Sequence, residues 1–198
     1  MKITNLDVFV LRGPDGGRPH WVSHFIVPTA NEILVRLRTE DGIEGFGLAT
    51  CYSGIEAPVN AFKSGIAEQI LGADATAPER LYERLFCLTA QRLAHEKGWG
   101  REALIRIAAA VDLACWDIMG KVAGLPLYKL FGGYRDKIPC YVTCAYYRDG
   151  KDLAELRDEM ETLKAQGHNG FKAKVGGLTL VEDMERLALV REVIGDDK

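Results

Sequence analysis

No apolar run in this chain approaches the roughly 20 residues that span a bilayer. The opening, Met1-Lys2-Ile3-Thr4-Asn5-Leu6-Asp7, lacks the apolar stretch of a secretory signal. Blocks of like charge and low-complexity tracts are also missing. With 25 basic against 28 acidic residues the formal net charge is −3, which gives no electrostatic ground for a nucleic-acid partner or an anionic membrane surface. CxxC spacing is absent too: the cysteines stand at 51, 87, 115, 140 and 144, an odd number. Reduced thiols and a cytoplasmic location are the expectation. What remains is 47% hydrophobic and 27% charged residues in a chain of 198. That is the composition of a globular protein, long enough to bury one large core or two modest ones.

The two parts of the chain have different grammar. Residues 2–11 carry β signals at Ile3, Leu6, Val8, Val10 and Leu11, and residues 32–39 alternate apolar and basic in the manner of a half-exposed strand. Asp41-Gly42 supplies a hairpin turn, and a third strand runs from Ile43 to about Thr50. The long glycine- and proline-rich connection from Arg12 to Asn31 is of a kind that is functional or disordered. Helical patterns follow at 56–71, at 78–95 with Pro78 in the first turn, and at 101–123. In the last of these, Ala103, Ile107, Val111, Ala114, Ile118 and Val122 recur at steps of three and four. Gly124 and Pro126 end it. Residues 1–135 therefore read as an α+β domain, a three-stranded antiparallel meander followed by helices.

From Lys137 the pattern becomes βαβα. A strand at 138–146 leads to a helix at 152–166 striped by Leu153, Leu156, Met160 and Leu163. A strand at 170–175 leads to a helix at 179–194 striped by Leu180, Met184, Leu187, Val190 and Ile194. Such units imply parallel, right-handed pairing. Residues 136–198 thus predict the first two βα units of a barrel that two strands cannot close. Left alone, they are expected to expose an apolar face and strand edges.

Lys172-Ala173-Lys174 lies in the second of these strands. Residues i and i+2 share a face, so the two ammonium groups are predicted to be neighbours. In an arbitrary sheet such a pair marks a solvated face. A parallel strand is covered on both sides, however, so Phe171, Ala173 and Val175 are expected under the helices and the lysines inside a barrel, near its C-terminal rim. Two close cations disfavour each other's protonation, which makes one a base while the other balances a carboxylate or an enolate. Asp112 and Asp117 read as structural pairing, and His95 and His168 as helix-end residues. His20 and His24 are four apart, but their surroundings show no helical pattern, so no metal pair is expected there.

The run from Ala110-Val111-Asp112-Leu113-Ala114-Cys115-Trp116-Asp117 through Gly124-Leu125-Pro126-Leu127 to Phe131-Gly132-Gly133 resembles the helix-and-turn signature of the mandelate racemase and muconate lactonizing enzyme family of the enolase superfamily. Thr39-Glu40-Asp41-Gly42-Ile43-Glu44-Gly45-Phe46-Gly47 resembles that family's N-terminal sheet, and Gly170-Phe171-Lys172-Ala173-Lys174-Val175-Gly176 its Lys-x-Lys strand. The resemblance implies a capping domain over a modified TIM-type (β/α) barrel and a magnesium ion stabilising an enediolate. It implies that Lys174 is the proton-abstracting base and Lys172 its electrostatic partner. The metal ligands are expected on barrel strands that this sequence does not contain, so no residue here is assigned to the metal. His24, Tyr52 and Thr143 are the residues expected to touch substrate, the first two from mobile loops.

The expected function is therefore the N-terminal part of a magnesium-dependent lyase or isomerase that removes the α-proton of a small carboxylate, possibly an acid sugar. Dehydratase ranks ahead of racemase or epimerase, and cycloisomerase last. The expected assembly is a homo-oligomer or association with the rest of the barrel. The alternative is a truncated, catalytically silent assembly or binding module.

Overall fold

In the computed structural model, which describes residues 1–13, 19–23, 25–27, 31–51 and 54–198, the alternating segments become strands and the striped ones helices. Strand β1 (Ile3–Arg12) is followed by the two-residue strands β2 (His20–Trp21) and β3 (Ile26–Val27), then by β4 (Asn31–Thr39) and β5 (Glu44–Cys51). Helices α1 (Glu56–Lys63), α2 (Pro78–Cys87), α3 (Arg92–Lys97), α4 (Arg101–Ala123) and α5 (Leu127–Leu130) come next. The chain ends with β6 (Val142–Cys144), α6 (Leu153–Ala165), β7 (Phe171–Ala173) and α7 (Leu180–Ile194). The described residues of 1–13 and 30–136 form one compact unit, and those of 14–29 and 137–198 a second. No helix among them is long and apolar enough to cross a membrane.

In the first unit the sheet has the order β1-β4-β5, antiparallel throughout. The Asp41-Gly42 turn sets the β4–β5 register, with Thr39 N–H donating to the Ile43 carbonyl at 3.0 Å. That register sends Ile33, Val35 and Leu37 to one face, where all three are buried. Each such side chain stabilises the fold by about 1.5–3 kcal/mol. The covering element is α4, whose Leu104, Ile107, Val111, Ala114 and Ile118 share that core. It can approach because β5 presents glycines: a Cβ on Gly45 would stand 2.1 Å from the Ala114 carbonyl oxygen, and one on Gly47 1.8 Å from that of Ala110. Backbone here packs on backbone.

Two of the expected helices are divided. The 56–71 pattern ends as α1 at Lys63 because Gly65 takes a left-handed conformation (φ 104°), and only a 3₁₀ turn at 66–69 follows. The 78–95 pattern splits where Gln91 turns extended, leaving α2, a 3₁₀ turn at 88–90, and α3. Periodicity survives such interruptions, because the apolar residues on both sides still face the same core.

In the second unit β6 and β7 pair in parallel, Val142 with Phe171, Thr143 with Lys172 and Cys144 with Ala173. An antiparallel barrel-free pair, β2 with β3, belongs to this unit as well. Helix α6 is capped by Asp152, whose carboxylate accepts the Glu155 N–H at 2.8 Å, and α7 opens with a Thr179–Glu182 capping box. The core under the two helices holds Cys144, Ala145, Leu156, Met160, Leu189, Val190, Val193 and Ile194.

Two features of this unit differ from the sequence pattern. Both strands are three residues long, so Lys174 lies just past the end of β7 and Val175 is exposed rather than covered. Helix α7 is also rotated about its axis. Of the stripe expected inside, Val190 and Ile194 are buried but the earlier part is outside, with Leu180 79% and Met184 58% exposed, whereas Asp183 and Arg186 are each only 6% exposed. The reason is polar: the loops after β6 and β7 bring backbone groups to α7 that need charged partners.

Two outcomes follow from this packing. Gly47→Ala should lower stability by on the order of 3 kcal/mol through forced separation of α4 from β5, read by chemical denaturation. Burial pushes the Cys115 thiol up to about 12 and that of Cys144 to about 11, and Cys51 is buried too. An aromatic disulfide at pH 8 should therefore label only Cys140 and Cys87 in the native chain. Cys87 should be the slower, because its hydrogen bond to the Glu83 carboxylate, followed by partial desolvation, holds the thiol form.

Candidate active site

Alternation along β7 is what aims Lys172. Phe171 and Ala173 pack into the core under the helices, so Lys172 between them takes the other face, in register with Thr143 of β6. Each ammonium then finds an aromatic ring. Lys172 Nζ lies 5.9 Å from the Tyr141 centroid, and Lys174 Nζ lies 5.2 Å from that of Tyr146. The attraction of a cation to a ring face contributes about 0.5–1 kcal/mol at such sites. The i, i+2 spacing predicts neighbouring ammonium groups, and the rings they meet belong to two tyrosines, one just before β6 and one just after it.

Tyr146 is a junction. The His20 ring meets it edge-on, with centroids 4.8 Å apart. Burial, and after it the nearby Arg148 charge, pull His20 below the usual imidazole value, so it is neutral at pH 7. Beneath, Lys151 is almost wholly buried and pairs with Glu159. Lys151 also donates to the Tyr146 carbonyl at 3.0 Å, and Glu159 accepts the Ala145 N–H at 3.0 Å. A partly buried ion pair, hydrogen-bonded to backbone on both sides, holds the chain where it leaves β6.

The exit of β7 is held by a second polar group set. Asp183 accepts the Tyr147 hydroxyl at 2.6 Å with one carboxylate oxygen and the Gly176 N–H at 2.7 Å with the other. The Gly177 N–H donates back to the Tyr147 oxygen at 3.2 Å. Arg186 donates to the Ala145 carbonyl at 2.8 Å and stacks its guanidinium 4.6 Å from the Tyr147 centroid. Ala145 itself has φ 55°, a left-handed conformation that a non-glycine residue adopts only under local constraint. Burial and then the Asp183 hydrogen bond push the Tyr147 phenol up, so it keeps its proton and remains the donor.

Of the residues predicted from sequence, Thr143 and Lys172 face each other across the strand pair and Lys174 sits at the strand end. His24 and Tyr52 lie outside the described residues. Tyr146, Tyr147, Asp183 and Arg186 were not anticipated. An Asp and an Arg three apart on a helix read as a surface pair, and nothing local marks the side that is buried. Among the described residues no three His, Cys, Asp or Glu side chains converge as a metal site would require.

Comparison with known proteins gives a consistent setting. Residues 5–132 match the pattern described as "Mandelate racemase / muconate lactonizing enzyme, N-terminal domain". Arabinonate dehydratase of Saccharolobus solfataricus is 35% identical over 166 residues, which is 83% of this chain and 43% of that protein. The 3,6-anhydro-alpha-L-galactonate cycloisomerase of Streptomyces coelicolor is 36% identical over 169 residues, 83% of this chain and 44% of that one. A crystal structure of a racemase from Streptomyces coelicolor A3(2) with bound magnesium aligns at a TM-score of 0.82 and 30% identity, covering 98% of this chain and 52% of that one. The chain spans about half the length of these relatives.

The lowered His20 value has a testable sign. A folded state that resists a proton which the unfolded state accepts loses stability as pH falls through the ordinary value of 6.5, and the loss is complete below the folded-state value. The His20 Cε1–H resonance should titrate with a midpoint below 6.5. His20→Gln should flatten the stability difference between pH 7 and pH 5.

Proposed function

From membership of the mandelate racemase and muconate lactonizing enzyme family, to which this chain belongs, we propose that it is the N-terminal part of an enzyme that removes the α-proton of a small carboxylate. An acid-sugar dehydratase ranks first, ahead of a racemase or epimerase and then a cycloisomerase. The recurrence of dehydratases among the similar proteins supports placing that reaction first. Lys174 is the base. Its neutral amine takes the α-proton, and the electrons of the broken C–H bond pass into an enediolate. Lys172 stays protonated and balances the charge that develops on the carboxylate oxygens.

One observation carries this reading. Phe171 and Ala173 are committed to the helix side, and Lys172 pairs with Thr143 on the opposite one, which leaves a cationic face free of the helices that build the fold.

Magnesium, which the solved racemase holds, does not fit the groups present here. Among the described residues no three His, Cys, Asp or Glu side chains converge, and two inward acids are taken: Asp183 by Tyr147 and Gly176, Glu159 by Lys151 and Ala145. We assign the ligands of the ion to groups other than these. The acid that would assist loss of a β-hydroxide belongs with them.

The test is exchange of the substrate α-proton with solvent deuterium, read by NMR on a panel of aldonic and aldaric acids with the barrel complete. Lys174→Ala should reduce exchange by at least about 10²-fold, the scale of a general base. Exchange at the parental rate in that variant excludes Lys174 as the base. The apolar side of α7, with Leu180 and Met184 exposed, favours a second reading, an assembly or binding module without turnover. Association by sedimentation, combined with no exchange on any member of the panel, would select it.

A further inference from the structure

The lysine proposed as base is one residue past its strand, so something other than the sheet must fix it. Residues 174–177 follow β7 as an irregular turn, and among the described residues its backbone hydrogen bonds go to Asp183 of α7 and to Tyr147. The Gly176 N–H is held by Asp183 at 2.7 Å and the Gly177 N–H by the Tyr147 oxygen at 3.2 Å. Gly176 has φ 84°, which suits glycine, and a Cβ on Gly177 would fall 2.5 Å from the Tyr147 ring. The turn is therefore pressed against Tyr147 as well as bonded to it.

Tyr147 also faces the other way. Its backbone forms an antiparallel bridge with Trp21, the Trp21 N–H donating to the Tyr147 carbonyl at 3.0 Å and the Tyr147 N–H to that of Trp21 at 3.3 Å. The two rings stack at 6.0 Å with an interplanar angle of 17°. His20, next to Trp21, touches Tyr146, the ring beneath the Lys174 ammonium. The β2–β3 pair and the Lys174 turn thus share one support, and at the centre of that support a buried carboxylate accepts from both partners.

We propose that Asp183 and Tyr147 are positioning residues for Lys174, fixing the turn that carries it and tying that turn to the segment bearing His20 and Trp21. Neither side chain takes part in proton transfer. The inference rests on Lys174 being the base, and it adds what sets that base in place. A catalytic group displaced by about 1 Å loses on the order of 10²-fold in rate, so the positioning contacts should show in turnover and not in substrate binding.

Asp183→Asn keeps the shape but has one accepting oxygen where the carboxylate has two, so it cannot accept from both the Tyr147 hydroxyl and the Gly176 N–H, and it leaves Arg186 without its counter-charge. With the barrel complete, α-proton exchange should fall by about 10²-fold in kcat with KM changed by less than about threefold. In the same variant the Gly176 and Gly177 amides should exchange hydrogen about tenfold faster, the scale of one lost hydrogen bond, while amides within α6 hold their rates. Tyr147→Phe serves as the second variant if Asp183→Asn does not fold. It retains the ring that presses on Gly177 and should accelerate the same two amides, with a smaller fall in kcat.

Faster glycine exchange with parental kcat, where Lys174→Ala still abolishes turnover, overturns the positioning role and leaves the base intact. Parental exchange at both glycines overturns it as well. Parental turnover in Lys174→Ala removes the base and the positioning role together. A fall in kcat that appears equally as a rise in KM points to a substrate contact and also counts against it.

Discussion

Everything in the second unit follows from one packing decision: Cys144 is buried under α6 and α7, and Phe171 and Ala173 pack against the same core. Two parallel strands have a face on each side, and the helices that follow them can fill only one. Once that face is filled, period-two alternation leaves Thr143 and Lys172 on the other. The same packing brings α7 against the ends of both strands, where the chain turns and backbone groups lose their ladder partners. Asp183 and Arg186 meet those groups. Burying two charges is unfavourable unless each is matched, and here each is. Tyr147, Gly176 and the Ala145 carbonyl complete the set.

The exposed stripe of α7 is the other side of that decision. A helix can turn only one arc inward. With Asp183, Arg186, Leu189, Val190 and Val193 on the inner arc, Leu180, Val181 and Met184 must be outside. An apolar stripe and a polar demand competed for the same direction, and the demand prevailed. An unsatisfied buried backbone group costs about 1–3 kcal/mol, comparable to covering a whole apolar side chain.

The first unit solves its own problem by subtraction. Its sheet is closed by a single long helix, and the approach is set by what β5 does not carry at Gly45 and Gly47. The alternating segment of β4 supplies the apolar side of that contact. The opposite face of the sheet carries charge, including the Asp7–Arg36 pair across β1 and β4. That pair is partly solvated and contributes little to stability.

Local pattern was enough to read the strands at 32–39 and 43–50, the Asp41-Gly42 turn, the 101–123 helix and the parallel βα order. Each depends on residues close in sequence, whose spacing and turn chemistry act before any long-range contact forms. The face taken by Lys172 was legible for the same reason, since it follows from alternation. Three things were decided only in three dimensions. The inner arc of α7 depended on backbone groups at Ala145 and Gly176, 41 and 7 residues from their partners. The ring that each ammonium meets depended on Tyr141 and Tyr146 lying beyond opposite ends of a strand of three residues. Docking of residues 20–21 on Tyr147 joined segments more than 120 residues apart. Periodicity records which side chains avoid water, but it carries no information on which distant polar group needs a partner. A helix obeys both.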